Sequence, residues 1–240
     1  MAVKRLNSNM VGAGDVSNAE HAYLNSVSSN IQTQVTNAAA TPALPAVGSS
    51  GNVLTSDGTN WASAAAGGGG AWNVIGTAVA SNSASLTITG ITSTYDTYAI
   101  AISDIEFSNN DVRIDFRVGD SGGIETGSSY RHHIQLLTSA STSYSSRAEA
   151  SGTLANIGRD IGTSTAGEGY SSFFYLHGPG DSTTFPHWTG TWWSSDGDRA
   201  QGGTLIGSFN SVITLDRVQI IPSAGTFSTG RMTVWGIAHA

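Results

Sequence analysis

Apolar and polar residues alternate along most of the chain from residue 72 onward. In residues 112–118, four apolar residues alternate with Arg113, Asp115 and Arg117, and residues 216–220 repeat the pattern. Because successive side chains of a strand point to opposite faces, the pattern predicts strands with apolar side chains inward and these three charged ones in solvent. Ten alternating or aromatic-rich runs are bounded by turn residues, at 72–79, 85–91, 95–105, 112–118, 132–137, 170–176, 184–193, 204–209, 213–221 and 231–237.

These ten runs define the expected fold. No helical pattern of convincing length follows residue 72, which disfavours α/β folds with crossover helices. About ten strands are enough to form two packed sheets. We therefore expect a mainly β chain in which residues 72–240 form a jelly-roll-like β-sandwich head domain.

A helical pattern is found in residues 1–40. Ser17 and Glu20 have the spacing of a capping box, in which both side chains satisfy backbone donors of the first helical turn. The apolar residues that follow recur at intervals of three or four and form one narrow stripe. This stripe is too thin for a globular core and is typical of a coiled coil or a helix pair held against sister chains. The candidate oligomerisation residues on it are Tyr23, Leu24, Val27, Ile31 and Val35.

Residues 41–71 form an Ala-, Pro- and Gly-rich linker that contains a predicted small β-hairpin. An extended run at residues 53–55 is followed by Asp57 and Gly58, a pair that tolerates the positive φ of a tight turn, and then by Trp61. A hairpin this small is not stable alone, so we expect Trp61 to pack on another copy of the chain. The glycines at residues 67–70 predict a flexible joint before the head, although an ordinary domain linker needs no oligomer.

Composition narrows the classes of function. The 240 residues carry a net charge of −7, only 11% are charged, and Lys4 is the only lysine. Phosphate binding needs clustered Lys and Arg, so nucleic acid is not an expected partner. The absence of cysteine excludes disulfides and thiolate metal sites, and no apolar run approaches the ~20 residues of a membrane span. We expect no cofactor, and the Gly- and Ser-rich composition is typical of a rigid extracellular or virion β-structure.

An aromatic run at residues 185–193 is the candidate receptor-binding feature. Trp188 and Trp192 share one face of the predicted strand, whereas Trp193 points to the other face. Together with His187 and with Asp181 of the preceding turn, the two rings offer flat apolar surface beside polar groups, on which sugars stack. The alternative is that one face of this strand is core and the other is an interface between subunits.

Two clusters suggest a metal site, and neither is favoured. His132 and His133 are adjacent in a strand and face opposite sides, so they cannot chelate one ion together. Asp196 and Asp198 could form a calcium loop with Asp181, but a plain surface turn is the better interpretation. We therefore expect no metal.

Catalysis has little support in the sequence. Residues 119–123 read Gly-Asp-Ser-Gly-Gly, which resembles a serine-hydrolase motif, but the sequence places no histidine and aspartate partners for it, and a solvent loop is the better interpretation. Glycoside cleavage would need a pair of carboxylates at a fixed separation, which the sequence does not define. The acidic candidates are Asp104, Glu106, Asp111 and Asp115. We expect a protein that is not an enzyme.

Three segments resemble parts of bacteriophage fibre proteins. Residues 51–61, GNVLTSDGTNW, are similar to the connector that joins an N-terminal shaft to a C-terminal head in phage tail fibres and related virion proteins. Residues 16–34 are similar to the VTNTEFSYLDGVTSNIQTQ element of phage fibres, and residues 230–237 resemble the ending of many small phage β-domains. The first two segments occur in the usual order.

The resemblance implies a homotrimeric tail fibre or tailspike located in the virion. Its N-terminal region would attach to other phage tail or capsid proteins, and its head would bind a host surface receptor, expected to be a glycan, through several weak contacts at once. The alternatives are a capsid decoration (cement) protein or head fibre, and a glycan-degrading tailspike enzyme. The enzyme is disfavoured because such tailspikes usually carry a long β-helix, for which this chain has no repeat.

Overall fold

The computed structural model describes residues 33, 35, 52–56, 59, 61–65, 71–163, 167–181, 183–197 and 199–238. The chain divides into two units, Met1–Gly67 and Gly68–Ala240. In the first unit Thr33 and Val35 have a helical backbone, and Val35 is 56% exposed. The other residues of the predicted stripe lie outside the described residues, namely Tyr23, Leu24, Val27 and Ile31. The helical stalk therefore stays a prediction.

The predicted hairpin is present in the first unit. Strand β1 (Asn52–Ser56) pairs antiparallel with β2 (Trp61–Ala65), and Ser56 lies opposite Trp61. The apolar side chains Val53, Leu54 and Trp61 are between 44% and 49% exposed. The turn residues 57 and 58 lie outside the described part of the chain.

The second unit is built from strands. Each of the ten predicted runs overlaps one of them, whereas β7, β9 and β10 were not predicted. The described strands are β3 (Trp72–Val79), β4 (Leu86–Thr89), β5 (Thr97–Phe107), β6 (Val112–Asp120), β7 (Gly123–Ile124), β8 (Tyr130–Thr138), β9 (Ser141–Gly152), β10 (Ala155–Ile161), β11 (Tyr170–His177), β12 (His187–Asp196), β13 (Arg199–Phe209), β14 (Arg217–Pro222) and β15 (Phe227–Ile237).

The strands of the second unit form two antiparallel sheets. The large sheet has the order β3-β15-β5-β11-β12-β13-β8-β9, and the small sheet has the order β10-β6-β14-β4, with β7 paired to β6. The protein is therefore mainly β, as the alternation predicts. The jelly-roll connectivity stays a prediction. Strand β9 is an edge of the large sheet, and its residues 141–151 are exposed on both faces.

The buried faces of the two sheets share one hydrophobic core. Near its centre the Phe116 ring of β6 packs against Phe174 of β11 and Trp188 of β12, with a centroid separation of 5.2 Å in both pairs. None of the three residues is more than 1% exposed. The small sheet thus covers β11 and β12, and β12 has one buried face and one outer face.

Asp115 corrects one detail of the predicted alternation in β6. Arg113 and Arg117 are partly exposed, but Asp115 is fully buried rather than in solvent. The reason is the unpredicted strand β10, which pairs with β6 and places Asn156 opposite Asp115. Asn156 Nδ2 donates a hydrogen bond to Asp115 Oδ1 (3.2 Å), and Arg113 Nε donates to both carboxylate oxygens (3.1 Å). Burial raises the pKa of Asp115 and outweighs the opposing effect of Arg113.

Candidate binding surface

The two tryptophans predicted to contact a receptor lie in the core. Trp188 and Trp192 share a face of β12, as their separation of four residues predicts. It is the buried face, however, and the two side chains are 1% and 3% exposed. Trp192 stacks on Tyr170 with the ring centroids 6.4 Å apart, and its Nε1 donates to the Gln135 carbonyl oxygen at 3.1 Å. Neither ring can stack on a surface ligand, because the small sheet covers them. The alternative interpretation of this face, as core, therefore replaces the binding prediction for both tryptophans.

The outer face of the large sheet carries its own aromatic surface. Trp72 stacks on Phe173 with the ring centroids 5.9 Å apart and the planes at 17°, and its ring lies 6.0 Å from that of Trp235. Strand β5 runs between β15 and β11 and places only Ala99 opposite Trp235 and Ala101 opposite Phe173, which leaves room for the rings. Six rings in contact form what we call the aromatic row: Trp235, Trp72, Phe173, Tyr175, His177 and His187.

The far end of the row is formed by β11 and β12. Tyr175 lies 5.2 Å from Phe173 and 6.1 Å from His177, and His177 stacks on His187 at 5.1 Å between ring centroids. His177 and His187 are opposite each other in the β11–β12 pairing. Burial, and then the charge of His187, lower the pKa of His177 below its ordinary value, so His177 is neutral at neutral pH. These rings form a continuous aromatic surface that is stacked at Trp72–Phe173 and His177–His187 and edge-on at Phe173–Tyr175, where the ring planes meet at 89°.

The row ends at a cleft of about 390 Å³, which we call the polar cleft. Its lining includes Tyr95 and Asp96 before β5, Asp181 and Thr184 from the β11–β12 connection, and His187. The structure thus brings together two of the predicted receptor residues, Asp181 and His187. They meet because the connection between two paired strands returns the chain to the same end of the sheet.

Asp181 is held in place by its own turn. The Thr183 backbone N–H, the Thr183 hydroxyl and the Thr184 hydroxyl each donate a hydrogen bond of 2.6 Å to its carboxylate. These bonds favour the charged form and lower the pKa of Asp181 to about 2. A carboxylate has about four lone-pair positions, so this one retains capacity to accept a hydrogen bond from a ligand.

The chemistry of the combined surface suits carbohydrate. Sugar rings have apolar C–H faces that stack on aromatic rings, and their hydroxyl groups donate hydrogen bonds to carboxylates. The aromatic row provides the rings, and Asp96 and Asp181 provide acceptors at its end. Sequence reasoning missed Trp72, Phe173, Tyr175 and Trp235 as surface residues because they lie on three separate strands. Only the two-residue spacing of Phe173, Tyr175 and His177 signalled that they share one face.

The acidic residues considered for catalysis do not form one site. Asp104 and Glu106 share a pocket of about 250 Å³ with the 45% exposed Trp193, where β5 has a bulge and Asp104 has φ of 54°. Asp111 lies in the turn before β6, and Asp115 is buried near Asn156.

The other predicted motifs are in turns or split between faces. Residues 119–123 span the end of β6, the β6–β7 turn and the first residue of β7, and the Gly122 N–H of the turn donates to Asp120 Oδ1 at 2.7 Å. Asp196 pairs with Arg199, and Asp198 lies outside the described residues. In β8, His132 faces inward and His133 outward. Within the described part of the chain, no three His, Cys, Asp or Glu side chains are grouped closely enough to hold a metal ion.

A search for related proteins returned no match to this chain among protein-family models, curated proteins or solved structures. Among the described residues, no helix is long and apolar enough to span a membrane.

Proposed function

We propose that this chain is a structural bacteriophage virion protein, a homotrimeric tail fibre or tailspike. Its N-terminal region attaches to the tail, and its C-terminal head, a β-sandwich of jelly-roll type, binds a glycan receptor on the host surface. The observation that carries receptor binding is the aromatic row with the polar cleft at its end. The virion assignment rests on the fibre-like segments of the sequence.

The hairpin supports an oligomeric stalk. A two-stranded hairpin is at best marginally stable alone in water. Val53, Leu54 and Trp61 are each nearly half exposed, so they have apolar surface left to bury against sister chains. Sedimentation equilibrium of the full chain is expected to give three times the mass of one chain, and Trp61→Ala is expected to weaken the trimer. A wild-type monomer at all concentrations would refute trimerisation.

Binding by three heads makes weak single contacts sufficient. Tethered sites bind a repeating surface glycan with an avidity that can exceed single-site affinity by about 10²–10⁴. The mechanism therefore requires only a shallow surface on each head, and the aromatic row is of this kind.

Location on the particle tests the assignment. Immunogold labelling of intact virions with antibody against residues 72–240 is expected to place gold at the tail. Gold spread over the head would replace the proposal with the second candidate, a capsid decoration (cement) protein or head fibre built from the same modules. Absence of labelling would refute a virion protein. Shortening of receptor polysaccharide on incubation with the protein would instead indicate a glycan-cleaving tailspike.

Two exposed tryptophans provide a matched test of the binding surface. Trp72, in the row, is 43% exposed, and Trp193, on the same face but outside the row, is 45% exposed. Trp72→Ala is expected to weaken host-cell binding by the folded protein at least about fivefold, which corresponds to about 1 kcal/mol of lost stacking. Trp193→Ala is expected to bind as wild type. If Trp193→Ala weakened binding and Trp72→Ala did not, the binding site would be the pocket of Asp104 and Trp193. Loss of the trimer in Trp72→Ala would identify the aromatic row as a subunit interface.

A further inference from the structure

A second cleft lies at the edge of the head domain, where β8 and β9 of the large sheet meet β6 and β10 of the small sheet. It has a volume of about 270 Å³, and we call it the edge cleft. Its polar lining includes Arg113, His132, Arg147, Glu149 and Asn156. None of these residues belongs to the aromatic row.

Asn156 and His132 both line this cleft, and each has one buried polar atom without a hydrogen-bond partner. Asn156 is 3% exposed, and its Nδ2 lies 3.3, 3.2 and 3.1 Å from the oxygens of Ile114, Asp115 and Gly158. These three acceptors fix which end of the amide is nitrogen, and Asn156 Oδ1 has no hydrogen-bond partner. His132 is 7% exposed, and its Nδ1 has no partner either. Buried polar atoms nearly always have a partner, so these two atoms point to a ligand.

The charges of the cleft define the ligand further. Arg113 is held by its Nε bonds to Asp115, and its side chain remains 40% exposed. Among the described residues, Arg147 takes part in no salt bridge. The lining of the cleft thus carries two guanidinium groups and the carboxylate of Glu149, while the buried Asp115 offsets the charge of Arg113. A ligand with one negative charge therefore suits the cleft better than a ligand with two. Guanidinium groups only donate hydrogen bonds, which a carboxylate can accept in pairs.

The neutral groups require hydroxyl donors. Asn156 Oδ1 only accepts hydrogen bonds. Burial lowers the pKa of His132, so the ring is neutral at neutral pH and offers one donor and one acceptor nitrogen. A ligand that meets all these groups has one carboxylate and several hydroxyls on a compact frame. A volume of about 270 Å³ is small for a binding site and suits one sugar ring rather than a long oligosaccharide.

We infer that the edge cleft binds a carboxylated sugar of the hexuronic acid type, with the carboxylate on Arg147 and Arg113 and the hydroxyls on Asn156 and His132. The inference rests on the proposed function only in assigning this sugar to a host surface glycan. The head would then contact a polysaccharide at two places, by stacking along the aromatic row and by charge at the edge cleft.

Titration of the full-length protein with sodium glucuronate, monitored by ligand-observed NMR and by calorimetry, tests the site. Glucose, which has the same ring without a carboxylate, is the ligand control. The wild type is expected to bind glucuronate at least about tenfold more tightly than glucose, because losing a charge-assisted pair costs about that much. Arg147→Gln is expected to remove this preference. Because Arg147 is exposed, the variant is expected to fold, with a thermal midpoint equal to that of the wild type.

Arg131→Gln is the matched control variant. Arg131 is exposed on β8, adjacent to His132 but on the opposite face, and it does not line the edge cleft. The substitution therefore removes the same charge as Arg147→Gln without changing the cleft. It is expected to retain wild-type affinity for glucuronate. Equal loss in both variants, equal binding of glucose and glucuronate, tighter binding of inorganic phosphate or free alanine, or no binding of glucuronate would each overturn the inference. None of these outcomes changes the position of gold label on the virion, so the two proposals fail independently.

Discussion

The two faces of β12 carry the same residue types in opposite roles. Trp192 and Trp193 are neighbours in sequence, yet Trp192 is 3% exposed in the core and Trp193 is 45% exposed on the outer face. The small sheet covers the first and leaves the second in solvent. The aromatic run of β12 therefore did not indicate which of its two faces is buried. The position of the opposing sheet decides which face belongs to the core.

The largest expected effect comes from the buried face. Trp188→Ala removes a ring that packs on Phe116, and it is expected to lower the free energy of unfolding by about 3–5 kcal/mol. In a domain of this size the loss corresponds to a fall of roughly 10 °C in the thermal midpoint. Circular dichroism melting of the full chain measures it.

Trp193→Ala is the control for that experiment. It is expected to change the free energy of unfolding by less than about 1 kcal/mol, because the ring is half exposed. Equal destabilisation by the two substitutions would contradict the assignment of the two faces.

A smaller effect is expected from filling the space beside the same ring. A Cβ atom at Gly207 would lie 2.5 Å from atoms of the Trp188 indole ring, which is too close for a real contact. Gly207→Ala is therefore expected to cost about 1–3 kcal/mol through overpacking, measured by urea unfolding. Gly127→Ala is the matched control, since a Cβ there meets nothing within 4 Å, and it is expected to be neutral. A stable Gly207→Ala variant would mean that Trp188 can move away from β13.

The strands that the sequence predicted differ in kind from those it did not. Runs such as residues 112–118 alternate between apolar and polar residues because one face of the strand meets the core, so the alternation predicts the strand. Strand β9, at Ser141–Gly152, lies at a sheet edge with both faces in solvent, so no apolar period is required of it. Strand β10, at Ala155–Ile161, contains Asn156, Gly158 and Asp160, which read as turn residues until the pairing with β6 is known.

The candidate sites show the same limit. Asp181 and His187 could be predicted to lie close together because a short connection joins β11 to β12. The aromatic row could not, because Trp72 and Phe173 are about a hundred residues apart in sequence and meet only through the sheet order. The edge cleft depends on β9 and β10, the very strands without a sequence signal. Contacts between distant segments are set by tertiary pairing, which overrides local propensity.

The smallest expected effect concerns pH, and it extends the comparison of faces to β8. His132 faces inward and is 7% exposed, whereas His133 is on the outer side. Burial is the largest cause of the lowered pKa of His132, with Arg147, Arg113 and His133 adding to it and Glu149 opposing it. Between the lowered folded pKa and the ordinary value of about 6.5, the unfolded chain binds more protons than the folded one at this residue. The contribution of His132 to the free energy of unfolding is therefore fully present above about pH 6.5 and decreases as the pH falls through this window.

Replacing each histidine in turn measures this effect. The loss is at most about 1.4 kcal/mol per pH unit for one histidine, and His177, whose pKa is also lowered, acts in the same direction. Asp115 acts in the opposite direction at pH values above the ordinary carboxyl pKa of about 3.9, because its raised pKa makes protonation favour the folded state. Melting curves between pH 7 and pH 5 are expected to show a smaller decline for His132→Gln than for wild type, and a decline closer to that of wild type for His133→Gln, which removes only one of the lesser contributions to the lowered pKa of His132. The opposite ranking of the two variants would mean that the outer face of β8, and not its inner face, is the one shielded from water.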